Sequence, residues 1–519
     1  MLKKALLVAT LTTLLCTHAG SQSSSTPNIS TALANLDPYI TATVKKTKVP
    51  GLAVAVVYKA QVVFLDGYGV RKLGDPAKVD ADTVFEIASM SKPIASTIVA
   101  SLVGTGEVNW DERIQALEPG FELSDPTATA QVTIRDLFSH RSGLPTDAGD
   151  YLEDLGYSRP EILHKMRMVP LVGQFRETYH YSNFGLTEAA IAVSLKTGKT
   201  WEEVAHEQLY AKLGMRSTSS RFSDYDNNPN KAALHYLQDG VYKNWFVREA
   251  DSESPAGGVS SSVRDLAKWV ELQLAGGSFN GEQIVDRAAL EETHKPQICS
   301  AEAGPVPPGQ CPGNRFYGLG WDVGRDAQGR LLLSHSGAFL SGAATTVYLL
   351  PSEQVGIVVL ANGTPTGIPE AISYTFLDYF RYGAPQADYI VAFKPTFDEL
   401  VRETQDGSKD YSKLPPPPNP SPTGSLSGYT GTFVSPYYGK LRISVEKNQL
   451  ILRLPPRSAY YELTHWDGDT FTYYFASEST GVARRGLQFL NGCKQVLVEN
   501  LAKEENDVVV NDGIFTKID

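Results

Sequence analysis

Strand patterns at the two ends of a long helical stretch constrain this chain more than any other feature of its sequence. Residues 49–70 hold Leu52-Ala53-Val54-Ala55-Val56-Val57, a turn at Lys59-Ala60 and Val62-Val63-Phe64-Leu65, a pattern that predicts two paired strands. Strand signals resume at Leu331-Leu332-Leu333, at Thr345-Thr346-Val347-Tyr348-Leu349-Leu350 and at Val355-Gly356-Ile357-Val358-Val359-Leu360. Residues from about 110 to 300 read instead as helices separated by polar loops, and a last helix is predicted over about 369–381, ending near Gly383. Strands on both sides of helices imply one sheet assembled from distant segments, an α+β architecture rather than two separate folds.

With 519 residues, the chain exceeds what one hydrophobic core serves, so a second unit is expected. The stiff tract Pro415-Pro416-Pro417-Pro418, followed by Pro420 and Pro422, marks a Pro-rich linker assigned to residues 385–427. Before it lies a domain over 30–384. After it, residues 428–519 alternate apolar and polar positions between turns at Asp467-Gly468 and Asn491-Gly492, which predicts a small antiparallel β-domain. A net charge of -11 without a basic run argues against nucleic acid and an anionic membrane surface as partners.

Lys3 and Lys4, an apolar stretch over 5–16 and Thr17-His18-Ala19 have the layout of a secretory signal peptide over 1–20, cleaved near Ala19, so a secreted protein is expected. The apolar stretch is shorter than the roughly 20 residues a membrane span needs, and nothing downstream reaches that length. Export predicts a disulfide between Cys299 and Cys311, which flank a Pro- and Gly-rich loop, with reduced, packed thiols as the alternative. Asn28-Ile29-Ser30 and Asn362-Gly363-Thr364 match the glycan acceptor pattern, relevant in a eukaryotic host.

Three short motifs occur in order: Ser89-Met90-Ser91-Lys92, Tyr181-Ser182-Asn183 and His335-Ser336-Gly337. A seryl hydroxyl needs a base within hydrogen-bond reach, and lysine serves when burial lowers its pKa. Residues three apart on a helix share a face, so Ser89 and Lys92 meet if Ser89 opens the helix carrying Ile94, Ile98, Val99 and Leu102. Each motif alone is weak. Ser444-Val445-Glu446-Lys447 repeats the first spacing in a predicted strand, where positions three apart face opposite ways. Tyr225-Asp226-Asn227, Tyr242-Lys243-Asn244 and Lys196-Thr197-Gly198 are further decoys.

Context separates signal from decoy. With Phe85-Glu86-Ile87-Ala88 before Ser89, Phe184-Gly185-Leu186 after Asn183, Leu137-Phe138-Ser139-His140-Arg141-Ser142-Gly143-Leu144, Tyr317-Gly318-Leu319-Gly320-Trp321 and Pro255-Ala256-Gly257-Gly258, residues 35–382 resemble the class C β-lactamase, D-alanyl-D-alanine carboxypeptidase and serine esterase family. The resemblance implies the β-lactamase/transpeptidase-like fold, an antiparallel sheet plus a helical region. Gly431-Thr432-Phe433, Gly439-Lys440-Leu441 and Leu463-Thr464-His465-Trp466-Asp467 are similar to the lipocalin-like β-domain often appended to it, a small barrel.

Carried over residue by residue, the resemblance implies that Ser89 attacks a carbonyl to form an acyl-enzyme, with Lys92 as its base. Tyr181 relays the proton, and Asn183 holds Lys92 and Tyr181 or the substrate carbonyl. The backbone donors of Ser89 and Ala338 form the oxyanion hole, while Ser336 and Gly337 belong to the substrate-gripping strand. No cofactor or metal is required. His206-Glu207 lacks a second zinc ligand because Tyr210 stands four residues on. His140 resembles the family's structural loop histidine.

The departure is His335. β-Lactamases and carboxypeptidases of this family usually carry lysine there, a fixed cation for the substrate carboxylate, whereas histidine is only partly charged near neutral pH. The resemblance therefore points to an esterase- or D-aminopeptidase-like hydrolase acting on a small ester or amide rather than to a strong β-lactamase. Two other readings stay open: acyl transfer from the same acyl-enzyme, and a non-catalytic ligand-binding homologue. Substrate identity and oligomeric state are not encoded in these patterns.

Overall fold

The computed structural model describes residues 28–300, 315–326, 328–406, 409–477, 481–505 and 508–518. The expected leader 1–20 and Cys311, and with it the Cys299–Cys311 pairing, lie outside them. The sheet has eight strands: β1 (Gly51–Tyr58), β2 (Gln61–Gly69), β3 (Ile298–Cys299), β4 (Phe316–Tyr317), β5 (Asp322–Arg325), β6 (Leu331–Phe339), β7 (Ala343–Leu350) and β8 (Val355–Ala361). Their spatial order is β2-β1-β8-β7-β6-β5-β4-β3, with every neighbouring pair antiparallel. The N-terminal hairpin thus joins strands some 300 residues away, Leu52 lying opposite Ala361.

β7 and β8 are buried at every position because both faces of the sheet are covered. On one face Val54, Val56, Ile357 and Val359 meet Leu36 and Ile40 of helix α1 (Ile29–Thr47) and Ile372 and Phe376 of the later helix Ile368–Tyr382. On the other face Val57, Val347 and Val358 join a core with Ile94 and Ile98 of α2 (Ser91–Gly104). Leu266 and Val270, from a helix spanning Val263–Leu274, complete that side. Each fully buried aliphatic side chain contributes about 1.5–3 kcal/mol. α3 (Asn183–Thr197) starts where the Ser182 hydroxyl accepts from Gly185 N at 3.1 Å and stops at Gly198, whose φ of 69° suits a residue without Cβ. In chain order Val263–Leu274 is α4 and Ile368–Tyr382 is α5.

Two expectations change. The segment expected as linker opens with a helix, α6 (Tyr389–Asp406), whose Tyr389, Phe393 and Phe397 pack on Ala371 of α5. Asn362, expected as a glycan acceptor, is 1% exposed and its Nδ2 donates to Val70 O at 3.2 Å and Arg71 O at 3.0 Å, so the amide is committed inside the fold. Asn28 is exposed and caps α1, its Oδ1 accepting from Thr31 N at 3.1 Å.

The tail forms a closed eight-stranded barrel: β9 (Gly431–Ser435), β10 (Gly439–Glu446), β11 (Gln449–Leu454), β12 (Ala459–Asp467), β13 (Thr470–Ser477), β14 (Gly481–Leu490), β15 (Gln495–Glu505) and β16 (Val508–Lys517). Each strand pairs with the next, and β16 closes on β9 through Val434 opposite Thr516. Closure removes the exposed edges that a small sheet would leave. Phe433, Leu441, Leu452, Phe471, Leu487, Val498 and Phe515 are buried among its core residues. The barrel sits on the helical region: Tyr157 Oη donates to Tyr438 O at 2.5 Å and Lys165 Nζ to Tyr437 O at 2.6 Å.

Candidate active site

Ser89 lies in a single 3-10 turn, Ala88–Met90, immediately before α2 rather than in its first turn. Ala88 has a φ of +48°, a left-handed conformation that costs energy in any residue with a Cβ and recurs where a fold over-determines a functional turn. The turn is fixed by Ser91, whose Oγ donates to Ala88 O at 2.7 Å and accepts from Val259 N at 3.0 Å. The spacing of three still places Lys92 Nζ 3.0 Å from Ser89 Oγ.

Lys92 is fully buried, and its other contacts are Asn183 Oδ1 at 2.7 Å and Ala256 O at 3.0 Å. Both are acceptors only. A neutral amine has two N–H donors and one lone pair, so these two oxygens take its hydrogens and leave the lone pair for the Ser89 hydroxyl. Burial lowers the ammonium pKa to about 7, although Glu253 and Asp150 pull it upward. The amine is thus poised to exchange a proton near neutral pH.

Tyr181 stacks its ring under Lys92, with Nζ 4.5 Å from the ring centroid, and its hydroxyl is buried without a hydrogen-bond partner. Ser89 lies near enough to lower the phenol pKa somewhat, yet the pair falls short of full hydrogen-bond geometry. Burial dominates and holds the phenol well above its usual pKa, so Tyr181 carries its proton at neutral pH. The turn that presents it depends on His140, which has a φ of 57° and accepts from Ser182 N through Nδ1 at 3.2 Å. That is a structural duty.

Asn183 bridges inward: Oδ1 takes the Lys92 proton donor, while Nδ2 donates to Asp150 Oδ2 at 3.3 Å. Its expected grip on Tyr181 is replaced by this link. Asp150 is held well above the usual carboxylate range, by burial first and then by Asp147, Glu253 and Glu153. Glu253 is raised to about 7, by burial and Glu153, against the pull of Arg248, which contacts Glu253 at 3.0 Å and Glu153 at 2.6 Å.

β6 closes the site. Gly337 has no Cβ because one would stand 2.2 Å from Ile87 O and 2.3 Å from Thr345 Oγ1, so glycine lets the strand touch the Ser89 turn. β5 runs beside β6 only as far as Ser334, and Ala338 is exposed beyond it. The Ser336 side chain turns to the opposite face and donates to Glu370 Oε1 of α5 at 2.8 Å. Its hydroxyl is therefore committed behind the sheet, a correction to its expected place in the substrate grip.

His335 also needs correction. It is fully buried, Nδ1 meets Ser336 O at 2.9 Å and Nε2 meets Tyr317 Oη at 2.9 Å. A carbonyl only accepts, so Nδ1 bears the proton and Nε2 accepts from Tyr317. Burial lowers the imidazole pKa to about 3, with Lys92 adding to the shift. His335 is a neutral imidazole at neutral pH, not a partly charged one. Replacing it with Phe strands the buried Tyr317 hydroxyl and is expected to cost about 1–3 kcal/mol, read by denaturant unfolding, and the wild-type pH–rate profile is expected to show no limb from His335 between pH 5 and 8.

Three residues of this site had no assigned role in the sequence reading: Asp150, Glu253 and Tyr317. Tyr317 and the Pro255-Ala256-Gly257-Gly258 stretch stand in matched motifs, which was the available signal. Among the described residues no group of three or more His, Cys, Asp or Glu side chains could hold a metal ion, and no helix is long and apolar enough to cross a membrane.

Known proteins agree with this architecture. The sequence profile of the beta-lactamase family matches residues 36–375, and that of a domain of unknown function, DUF3471, matches residues 415–491. The unguisins hydrolase ungD of Aspergillus violaceofuscus is 26% identical over 82% of this chain and 80% of its own length. Protein flp of Staphylococcus aureus is 23% identical over 65% of both chains. Among solved structures, the octameric penicillin-binding protein homologue from Pyrococcus abyssi superposes with a TM-score of 0.57 at 19% identity, covering 90% of this chain and 98% of that one. The chain belongs to the beta-lactamase family, carrying that fold together with a C-terminal eight-stranded barrel.

Proposed function

We propose that this protein is a serine hydrolase that cleaves a small ester or amide through an acyl-enzyme on Ser89. The observation that carries the reading is the Lys92 amine, buried, 3.0 Å from Ser89 Oγ and hydrogen-bonded otherwise only to two acceptors. Ser89 Oγ bonds to the carbonyl carbon as its proton passes to Lys92 Nζ. The negative oxygen is met by the Ser89 and Ala338 N–H groups, each worth ~3 kcal/mol in comparable hydrolases. Tyr181, protonated, supplies the proton to the departing alcohol or amine, and Lys92 passes the proton it took from Ser89 on to Tyr181. Water then attacks the acyl group by the reverse route and frees Ser89.

The neutral state of His335 supports substrates without a carboxylate beside the scissile bond, hence esters and simple amides above β-lactams. The hydrolase name borne by the Aspergillus violaceofuscus relative supports the reaction class. A panel of p-nitrophenyl esters, D-amino acid amides and a chromogenic β-lactam, assayed for wild type and Ser89→Ala, tests the reading. Ester or amide turnover that falls at least ~10³-fold in the variant is expected. Unchanged turnover in Ser89→Ala, or a β-lactam preferred over every ester and amide, would overturn it.

A further inference from the structure

The rim of the cleft is tied to the barrel by an ion cluster, and we infer that Lys503 and Glu505 of β15 are positioning residues for Asn183 and Lys92, acting through residues 146–150. The inference rests on the Ser89 reading above. Lys503 Nζ donates to Thr146 O and pairs with Asp147 Oδ2 at 2.9 Å, while Glu505 Oε1 accepts from Thr146 N at 3.3 Å. Two barrel side chains therefore hold both backbone groups of one loop residue. Glu505 Oε1 also meets His180 Nδ1 at 3.0 Å, one residue before Tyr181. The end of β15 thus grips both arms of the site.

The barrel side chains are shielded, Lys503 being 7% exposed and Glu505 12%, while Asp147 on the rim is 31% exposed. Burial alone would lower the Lys503 ammonium, but Asp147, Tyr151 and Glu505 more than reverse this, so it remains a cation. Glu505 is held below the usual carboxylate range despite its burial, chiefly by its bond to His180 and by Lys503.

The held loop has two left-handed residues, Asp147 (φ 61°) and Gly149 (φ 96°), and leads directly into the short helix Asp150–Leu155. A Cβ at Gly149 would stand 2.6 Å from Phe184, the residue after Asn183, so loop and α3 are in close contact there. Asp150 then accepts from Asn183, and Asn183 accepts from Lys92. The path from Lys503 to the Lys92 amine consists of side-chain bonds and five residues of loop. A catalytic group displaced by 1 Å can lose about 10²-fold in rate, so a loosened loop should reach kcat.

The test uses the full chain and an ester that the wild type turns over. Lys503→Met is expected to lower kcat about 10-fold or more with KM within about threefold, and Lys503→Arg to restore kcat to within about threefold. Arg453→Met, at the exposed pair with Glu446 on the barrel, serves as control and leaves both constants unchanged. If Lys503→Met melts below the assay temperature, the isosteric Glu505→Gln decides, with a kcat at least about fourfold down at near-normal Tm expected. A folded Lys503→Met with kcat within twofold of wild type, a loss confined to KM, or no rescue by Arg would overturn the inference. Activity retained by Ser89→Ala defeats the Ser89 reading; an inactive Ser89→Ala beside unaffected Lys503→Met and Glu505→Gln defeats only this one.

Discussion

Lys92→Met is expected to lower kcat at least ~10³-fold, because it removes the lone pair that the geometry directs at Ser89 Oγ. Methionine keeps the length and apolar character of the buried stem, so the fold is retained. The cost is the loss of a donor to Asn183 Oδ1 and Ala256 O, about 1–3 kcal/mol for each group left unpaired, offset because a buried amine no longer has to be desolvated. The wild-type protein supplies the matching pH test. The lysine pKa falls to about 7 on burial, and only the neutral amine accepts a proton. Activity should therefore rise as pH increases through about 7 and level off above it. His335 and His140, both lowered by burial, stay neutral across that window and add no limb. A rate that falls as pH rises from 6 to 8 would remove Lys92 as base.

Gly337→Ala is the second large effect. Its Cβ would stand 2.2 Å from Ile87 O and 2.3 Å from Thr345 Oγ1, and Thr345 Oγ1 itself donates to Ile87 O at 2.7 Å. Neither neighbour is the end of a flexible side chain, so β6 must move away from the Ser89 turn. Overpacking of this kind costs about 1–3 kcal/mol of stability. The larger consequence is kinetic. Ala338 N, which we propose as the second donor for the developing oxyanion, moves with the strand, and a displacement near 1 Å is worth about 10² in rate. We expect kcat to fall about 10²-fold or more while the thermal midpoint drops by only a few degrees. A folded variant with wild-type kcat would show that β6 does not bear on the reaction.

What the sequence made legible has a physical basis. Ser89 and Lys92 meet because three residues of helical chain bring them together, and the flanking residues mark the turn. The decoys fail on equally local grounds: Ser444 lies in β10 and donates to Glu446, Tyr225 donates to Ala232 O, and Lys196-Thr197-Gly198 ends α3 with Gly198 at its cap. The sheet was readable because β1, β7 and β8 are buried on both faces and are almost wholly apolar.

Other features had no local signature. Asp150 and Glu253 act on Lys92 from two separate segments, with Arg248 paired to Glu253, and Lys503 reaches Asp147 across more than 350 residues of chain. The neutral state of His335 depends on burial, which a residue type does not disclose. α6 was hidden for a different reason: Pro395 lies inside it, and a proline ordinarily argues against a helix interior. Its Tyr389, Phe393 and Phe397 stripe, spaced by four, packs on α5 all the same.

The most direct measurement is to mix the protein with an activated ester, quench in acid within the first turnovers, and locate the added acyl mass by peptide mapping. The account predicts one acyl group on the peptide that contains Ser89, at Ser89 itself, and none in Ser89→Ala. Acylation of another residue, or full ester turnover by Ser89→Ala, would contradict it.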